Sequence, residues 1–236
     1  MSLGVSLCIT SGGRPDLLRE TLRSLLPYNG KFFDQVLVTN DRGDAATDEV
    51  VRQEIDDVVL LTSESPIGQH RSIDKLYSLV ETPYVFHCED DWAFDPVEFI
   101  PHLHAALEAT PDASGIWARQ TGSIQTHLDR ARVFQPPVHH GGAAFVQYEE
   151  SDPWSGYSFS PHLLRVSNWR DIGPYEHLST EGAVNAAYLE HGLKRWFLVP
   201  GVYYHLGDER HLDDPLNPLP SMSSGLLHRI RRRLGR

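Results

Sequence analysis

The amino-acid sequence predicts an α/β protein built around a central, mostly parallel β-sheet. Over the first 110 residues, short apolar runs typical of strands alternate with segments whose apolar residues recur at helical spacing. Glycine, proline or polar residues punctuate these segments, as is typical of turns. A βαβαβαβ order favours parallel strands joined by right-handed helical crossovers.

The first half of the chain contains four predicted strand–helix units. Pro15 suits the first turn of the first helix, because its fixed φ angle is helical and its missing N–H is not needed there. The fourth strand begins at Tyr84 and runs directly into Glu89, Asp90 and Asp91. The other predicted strands cover 4–10, 35–39 and 57–62, and the predicted helices cover 16–26, 47–55, 69–80 and 97–109.

The second half is less regular. Gly192 ends a predicted helix over 180–191, as glycine often does. The segment 203–205 either continues the last strand or starts another. Because no repeat or clear boundary is present, we predict one domain over 1–212, followed by a Pro-rich linker and basic amphipathic tail over 213–236. The remaining predicted strands cover 115–119, 143–148 and 195–199, and the predicted loops cover 135–142 and 149–156.

The acid cluster Glu89-Asp90-Asp91 is the most informative stretch. Three adjacent carboxylates at the end of a buried strand repel one another unless a cation offsets their charge, and hard divalent cations prefer oxygen ligands. Open α/β sheets also place ligands at the carboxyl ends of their strands. The alternative interpretation is an acidic turn that caps the next helix, since Asp95-Pro96 follows closely. The cluster alone leaves both open.

Composition and charge restrict the function classes. With 40% hydrophobic and 22% charged residues, the chain is typical of soluble globular proteins. A net charge of −11 argues against nucleic acid as the main partner. Cys8 and Cys88 lie in apolar strand patterns without metal-ligand spacing, which favours core packing in a reducing compartment. No secretory signal or membrane-spanning run is recognisable, so we expect a cytoplasmic protein.

The C-terminal tail departs from the acidic average. Between 225 and 236 it carries five arginines and no acid, with apolar residues near helical spacing. A basic amphipathic helix of this kind can lie on an anionic membrane surface, which would make the protein peripheral to a membrane. A frayed, solubilising tail explains the same pattern, and both interpretations remain open.

Seven polar segments follow one another along the chain: Ile9-Thr10-Ser11-Gly12-Gly13-Arg14-Pro15, Asn40-Asp41-Arg42-Gly43, the stretch 68–75, Glu89-Asp90-Asp91, Gly173-Pro174-Tyr175-Glu176, Thr180-Glu181-Gly182 and His205-Leu206-Gly207. No single motif is specific, but the ordered set resembles the GT-A nucleotide-sugar glycosyltransferases, especially family 2-like enzymes. The resemblance covers roughly residues 3 to 210 and implies a Rossmann-like GT-A sandwich with a mostly parallel mixed sheet.

The resemblance implies residues for the nucleotide-sugar donor. Thr10 and Arg14 would contact the nucleoside, although Thr10 and two glycines replace residues usual in that loop. Asp41 would accept a hydrogen bond from a uracil, thymine or guanine base, so the donor could be of UDP, dTDP or GDP type. A turn aspartate beside glycine is the alternative for Asp41. Arg71 would face the diphosphate, in preference to Lys75.

The resemblance also implies a metal site. Asp91 would ligate Mn²⁺ or Mg²⁺, and Asp90 would bind the ribose or a metal-bound water. His205 would complete the metal or diphosphate site. In such enzymes the divalent cation bridges the diphosphate oxygens and neutralises the leaving nucleoside diphosphate.

For catalysis, the resemblance implies Glu181 as the base that deprotonates an acceptor hydroxyl. Gly182 stands where the family often has a second acid, so Glu181 is the only acid of that motif. Asp152 is the alternative base. One base-activated hydroxyl favours an inverting displacement. The acceptor would be a glycan, a lipid-linked sugar or a small molecule, by analogy only.

Two other function classes remain open at this stage. A GT-A-like protein that binds sugars or nucleotides without turnover would explain Gly182 and the altered nucleotide loop. A metal-dependent hydrolase would use Asp90, Asp91 and histidines such as His139, His140 and His205. Against the hydrolase, no His-x-x-x-His ligand pair stands on a predicted helix or strand.

Overall fold

The computed structural model describes residues 2–120, 136–148, 158–178 and 180–207, and these contain eleven strands and six α-helices. The strands are β1 (Val5–Ser11), β2 (Phe33–Asn40), β3 (Val59–Thr62), β4 (Tyr84–Glu89), β5 (Trp92–Phe94), β6 (Ala113–Trp117), β7 (Val138–His140), β8 (Ala143–Gln147), β9 (His162–Arg165), β10 (Lys194–Val199) and β11 (Tyr203–His205). The helices are α1 (Pro15–Asn29), α2 (Ala45–Glu54), α3 (Gln69–Ser78), α4 (Ile100–Ala109), α5 (Val166–Ile172) and α6 (Glu181–Glu190).

Nine strands form one mixed sheet in the order β3-β2-β1-β4-β9-β6-β10-β8-β7. In the first half of the chain, β1 pairs in parallel with β2 and β4, and β2 pairs in parallel with β3. This confirms the predicted α/β class and its parallel arrangement. Parallel strands end at the same edge of the sheet, so the residues after β1, β2 and β4 meet there.

The core lies on both faces of the sheet, which is why β1 is buried along its whole length. Helices α1, α2 and α4 cover one face, and α3, α5 and α6 cover the other. Side chains alternate between the faces, so Cys8 packs on the α3 side while Cys88 packs on the α1 side. Both thiols are free and buried, as expected for core cysteines.

Side-chain caps determine where two of the helices begin. The Asp44 carboxylate accepts a hydrogen bond from the Thr47 amide at the start of α2 (2.8 Å). The Thr180 hydroxyl accepts one from the Ala183 amide at the start of α6 (3.1 Å). Each cap satisfies an N–H that the helix itself cannot, typically stabilising the helix by about 1 kcal/mol.

The second half departs from the sequence prediction in its short elements. Strand β9 and helix α5 lie where no element was predicted, and β7 lies within the predicted loop 135–142. The segment 203–205 does not continue β10; as β11, it pairs antiparallel with β5 in a separate two-stranded sheet. Strands of three or four residues carry too little periodicity to be recognised, and their pairing comes from tertiary contacts.

The small sheet positions the end of the described chain against the acid cluster. The Leu206 amide donates to the Asp91 carbonyl (2.8 Å), and the Gln120 amide donates to the Tyr203 carbonyl (3.1 Å). Strand β11 therefore connects the end of β6 with the residues that follow β4.

None of the helices within the described residues is both long and apolar enough to cross a bilayer. The predicted linker and tail over 213–236 lie outside the described residues, so the domain division stays a prediction.

Two buried histidines face each other within the sheet. His87 on β4 pairs in register with His162 on β9, and their ring centroids are 5.5 Å apart. Trp117 stacks on His162 at 4.5 Å. Burial lowers the pKa of His87 well below its ordinary range and lowers that of His162 to about 4. Both rings are therefore neutral in the folded protein near neutral pH.

Because of these two histidines, we expect the free energy of unfolding to fall in acid. Because their pKa values are lower folded than unfolded, the unfolded chain binds protons more readily below about pH 6.5, and stability falls as the pH drops from there towards 4. We expect His87→Leu to reduce the difference in unfolding free energy between pH 7.5 and pH 5 by up to about 2 kcal/mol. Urea denaturation at both pH values measures it.

The exposed His139 provides the control, since His139→Gln removes a histidine without removing a buried one. An unchanged pH dependence in His87→Leu would contradict the prediction. Comparing variants with wild type cancels the contribution of the other titrating groups.

Candidate active site

A cavity of about 450 Å³ opens at the carboxyl edge of the parallel strands. This is where open α/β sheets bind their ligands. Side chains reach it from β1, β4, β5, α3, α6 and β11 and from segments next to β1, β2, β4, β6 and β9. Its lining comprises Thr10, Ser11, Gly12, Arg14, Asp41, Arg42, Pro66, Gly68, Gln69, Ser72, Glu89, Asp90, Asp91, Trp92, Arg119, Ser158, Ser160, Glu181 and His205.

Asp90 anchors the turn that follows β1. Its buried carboxylate accepts hydrogen bonds from the Ser11 hydroxyl (2.7 Å) and the Gly12 amide (2.9 Å), and it forms an ion pair with Arg14. Burial raises the pKa of Asp90 although the charge of Arg14 opposes the rise. Three protein donors occupy this carboxylate, so the geometry favours a role in shaping the loop over the predicted contact with ribose.

Asp91 lies between two basic side chains. Its Oδ2 atom is 2.7 Å from Nη1 of Arg14 and 3.0 Å from Nε2 of His205. Burial alone would raise the pKa of Asp91, but the hydrogen bond with His205 and the charge of Arg14 outweigh burial and lower it. Conversely, the charges of Asp90 and Asp91 raise the pKa of Arg14 against the effect of its burial. The predicted metal residues Asp91 and His205 are thus in direct contact.

The donor set around Asp91 fits a divalent cation that is held mainly by substrate. The Oδ1 atom of Asp91 is buried and has no hydrogen-bond partner among the described residues. Those residues contain no group of three histidine, cysteine or carboxylate side chains placed to hold a metal. Mg²⁺ and similar hard cations are commonly held by one or two protein carboxylates together with phosphates and water. Asp91 with His205 matches this partial site.

Gly207 allows the chain after β11 to approach the acids. A Cβ atom at this position would lie 2.3 Å from Oδ2 of Asp91 and 3.1 Å from Nη1 of Arg14. Any side chain here would push apart the contact between Asp91 and Arg14. The position belongs to the His205-Leu206-Gly207 segment of the sequence, and the structure supplies the steric reason for its glycine.

Glu89 connects α3 with the indole of Trp92. Its carboxylate accepts hydrogen bonds from the side-chain amide of Gln69 and from Nε1 of Trp92 (3.1 Å). Burial is the main cause that raises the pKa of Glu89 to about 8, and repulsion from Asp91 and Glu181 is the next. The three acids of the cluster therefore have three different environments, which sequence alone could not distinguish.

Glu181 is the first residue of α6, and its carboxylate faces the same cavity. Its Oε1 atom accepts a hydrogen bond from the Phe159 amide (2.8 Å). Burial raises the pKa of Glu181 to about 7, against the smaller opposing effect of that hydrogen bond. A carboxylate in this state can take up a proton near neutral pH, as a general base must.

Thr10 and Asp41 lie at the side of the cavity formed by β1 and β2. Asp41 accepts hydrogen bonds from the amides of Ile67 (2.8 Å) and Gly68 (3.3 Å) and from the Ser72 hydroxyl (3.3 Å). Its carboxylate thus attaches the start of α3 to the end of β2. The structure brings Thr10 and Asp41, two of the three predicted nucleoside residues, into the cavity and gives Asp41 a structural task as well. The third, Arg14, also lines the cavity but binds Asp90 and Asp91.

The structure places Arg71 away from this cavity. Its Nε atom pairs with Oε2 of Glu176 at 3.1 Å in a separate surface groove, which Lys75 also lines. The cavity side of α3 is formed by Gln69 and Ser72 instead, because residues two positions apart lie on different faces of a helix. The predicted diphosphate contact of Arg71 is therefore not supported by its position. Asp152, the alternative base, lies outside the described residues.

Sequence reasoning missed several cavity residues, of which Arg119 carries the most chemistry. It follows β6, and its guanidinium lies over the Trp92 ring at 5.4 Å from the centroid. The usable signal was its place at the end of a predicted strand, the edge where ligands bind. Ser11 and Gly12 stood within a recognised segment, whereas nothing in the sequence marked Ser158 or Ser160.

Gly207→Ala is expected to destabilise the protein by about 1–3 kcal/mol, the usual cost of forcing an extra group into a packed site. The added methyl group must displace Asp91 or Arg14, because 2.3 Å is far inside van der Waals contact. Urea denaturation measures the change. Gly30→Ala is the control, since its added Cβ would have ordinary contacts of 3.6 and 3.7 Å with Leu26. Equal effects of the two substitutions would contradict the steric argument.

Comparisons with known proteins agree with this geometry at the level of fold. No protein-family model matches the chain, and no curated protein matches its sequence. The structure is similar to the crystal structure of S. aureus TarS 1-349, with a TM-score of 0.59 and 15% identity over 88% of this chain and 61% of that chain. It is also similar to GalNAc-T7 with UDP, GalNAc and Mn²⁺, with a TM-score of 0.59 and 12% identity over 97% of this chain and 48% of that chain.

This chain therefore spans less than two thirds of either of these neighbours. Identities this low establish the fold alone. They confirm the resemblance that the sequence motifs indicated: the chain has the GT-A fold of the nucleotide-sugar glycosyltransferases.

Proposed function

We propose that this protein is a metal-dependent glycosyltransferase that moves a sugar from a nucleotide-diphosphate sugar to an acceptor hydroxyl with inversion. One observation carries the proposal: the contacting pair Asp91 and His205 shares a cavity with Glu181, whose pKa is near 7. The GT-A fold supports it, as does the UDP and Mn²⁺ present in the GalNAc-T7 structure.

In this proposal the donor lies across the carboxyl edge of the sheet. Thr10 and Asp41 line the nucleoside side of the cavity. Asp91, with its unpartnered buried oxygen, and His205 would hold Mn²⁺ or Mg²⁺. When bound, the cation would neutralise the donor's diphosphate. Asp90 keeps the Gly12 turn and Arg14 in place beneath it.

The transfer itself is one displacement. The acceptor oxygen forms a bond to the anomeric carbon while the bond from that carbon to the phosphate oxygen breaks. The bonding electrons go to the departing phosphate, and the hydroxyl proton goes to Glu181. Attack from the side opposite the leaving group inverts the anomeric centre.

Glu181 suits the role of base better than the other cavity acids. Asp90 and Asp91 both pair with Arg14. Glu89 accepts hydrogen bonds from Gln69 and Trp92. Both oxygens of Asp41 accept hydrogen bonds from the start of α3. Glu181 uses one carboxylate oxygen for the Phe159 amide. Within the described residues, no hydrogen bond is formed by its other oxygen, which is therefore available to an acceptor.

The donor class can be tested by binding. A thermal-shift screen would compare UDP-, GDP- and dTDP-sugars with and without Mn²⁺. A cognate donor raises apparent stability with the logarithm of its concentration over Kd, and Mn²⁺ should increase that shift. If a donor binds but is neither transferred nor hydrolysed, the protein is instead a non-catalytic sugar-nucleotide binder. No shift with any nucleotide in either condition would overturn the proposal.

Glu181→Gln is expected to lower kcat by roughly 10²–10⁴, the usual contribution of a general base, and to leave donor binding unchanged. Steady-state transfer assays and donor titration measure the two effects. Glu190→Gln is the matched control, because it makes the same change at the exposed last residue of α6. Unchanged turnover in Glu181→Gln would remove this residue from the mechanism.

The pH dependence provides an independent check. A base with a pKa of about 7 is mostly protonated at pH 6 and mostly ionised at pH 8. We therefore expect kcat/KM to rise about tenfold between these pH values and then to level off. The residual activity of Glu181→Gln should lack this rise. A wild-type profile that is flat from pH 6 to pH 8 would contradict the assignment.

The acceptor and the cellular setting belong to the same proposal. A glycan, a lipid-linked sugar or a small molecule remains the acceptor class suggested by the family resemblance. Peripheral membrane contact through the basic tail stays a proposal, because that tail lies outside the described residues. A cytoplasmic location is likewise part of the proposal.

A further inference from the structure

Arg119 follows β6 and lies on the opposite side of the acid cluster from β1 and β2. Its backbone forms a bridge with Tyr203, and the following amide, from Gln120, donates to the Tyr203 carbonyl (3.1 Å). Its guanidinium lies over the ring of Trp92, 5.4 Å from the centroid. Backbone pairing and cation–π contact together hold this charge at the cavity wall.

Trp92 connects Arg119 with the candidate metal ligands. The indole is buried and donates to Glu89 (3.1 Å), which fixes its orientation. The ring of His205 lies 4.6 Å from the same indole, centroid to centroid. Arg119 and His205 therefore both contact one rigid aromatic platform, and His205 in turn contacts Asp91 (3.0 Å).

The three cavity arginines have different surroundings. Arg14 is bound to Asp90 and Asp91. Arg42 is exposed at the β2 side, where its side chain packs against the Gly13 turn. The strand order β2-β1-β4-β9-β6 puts Arg119 on the opposite side of the acids from Arg42. A diphosphate held at Asp91 and His205 would therefore have Arg119 beside its sugar-bearing end.

We propose that Arg119, stacked on Trp92, binds the sugar-bearing phosphate of the donor and stabilises it as it leaves. This assignment rests on the proposed glycosyl transfer. A guanidinium suits the task, because its planar set of N–H donors matches two phosphate oxygens at once. Negative charge on that phosphate grows as the bond to the anomeric carbon breaks. A preorganised cation at this point is catalytic, since it interacts more strongly with the transition state than with the bound donor.

The test compares nucleoside diphosphates with monophosphates, which lack the phosphate that Arg119 would bind. UDP, GDP and dTDP, each paired with its monophosphate, are titrated by calorimetry in the presence of Mn²⁺. For the base that binds, we expect Arg119→Gln to weaken the diphosphate about tenfold or more and to leave the monophosphate nearly unchanged, as the loss of a charged hydrogen bond predicts. Arg119→Lys, which keeps the charge but not the planar fork, should show an intermediate loss and serves if the glutamine variant does not fold.

Arg42→Gln is the matched control, because it removes the same group from the opposite side of the same cavity. It should retain the wild-type ratio of diphosphate to monophosphate affinity. An unchanged ratio in Arg119→Gln and Arg119→Lys, or an equal change in Arg42→Gln, would overturn the assignment to the leaving phosphate. If wild type itself binds neither nucleotide form, the proposed function fails and this assignment fails with it.

Kinetics separate this role from a merely structural one. Arg119→Gln should lower kcat more than it raises the KM for the donor, because the interaction is strongest in the transition state. Arg119→Lys should recover part of the lost kcat. Equal transfer rates in wild type and Arg119→Gln at saturating donor would contradict the proposal.

Discussion

The charge of three adjacent acids at the end of a buried strand is the constraint on which the rest of the site depends. Without nearby cations and hydrogen-bond donors, burying this cluster would be strongly unfavourable. Arg14 supplies the main compensation, through its contacts with both Asp90 and Asp91. The turn after β1 must bring Arg14 back over the end of β4, and Gly207 must lack a side chain so that β11 can close against the same pair. One electrostatic requirement thus determines the course of three separate segments.

The same requirement gives chemically similar side chains different roles. Asp91 has basic neighbours, which hold its pKa low despite burial. Among the described residues, Glu181 accepts a hydrogen bond from the Phe159 amide and forms no ion pair, so burial raises its pKa to about 7. Paired carboxyl groups whose environments separate their pKa values are a recurring arrangement for acid–base chemistry. Here one carboxylate is suited to a cation and the other to a proton, within one cavity.

Aromatic contacts extend this arrangement beyond the acids. Trp92 is held by Glu89 and touches both His205 and Arg119. A rigid indole between a candidate metal ligand and a guanidinium maintains their spacing. Strand β5 is three residues long and buried; it carries this indole and pairs with the strand that supplies His205.

The sequence was sufficient to predict the α/β class, the parallel first half and the segments that supply Thr10, Arg14, Asp41 and the acids, because the alternation of strands with helices and the polarity of strand ends are local properties of the chain. It could not place short strands such as β9, whose pairing is decided by distant neighbours. Only the tertiary structure directed Arg71 away from the cavity and brought Arg119 into it. The physical reason is that a motif specifies which residues a segment carries, whereas helix phase and strand order decide which of them face a common cavity.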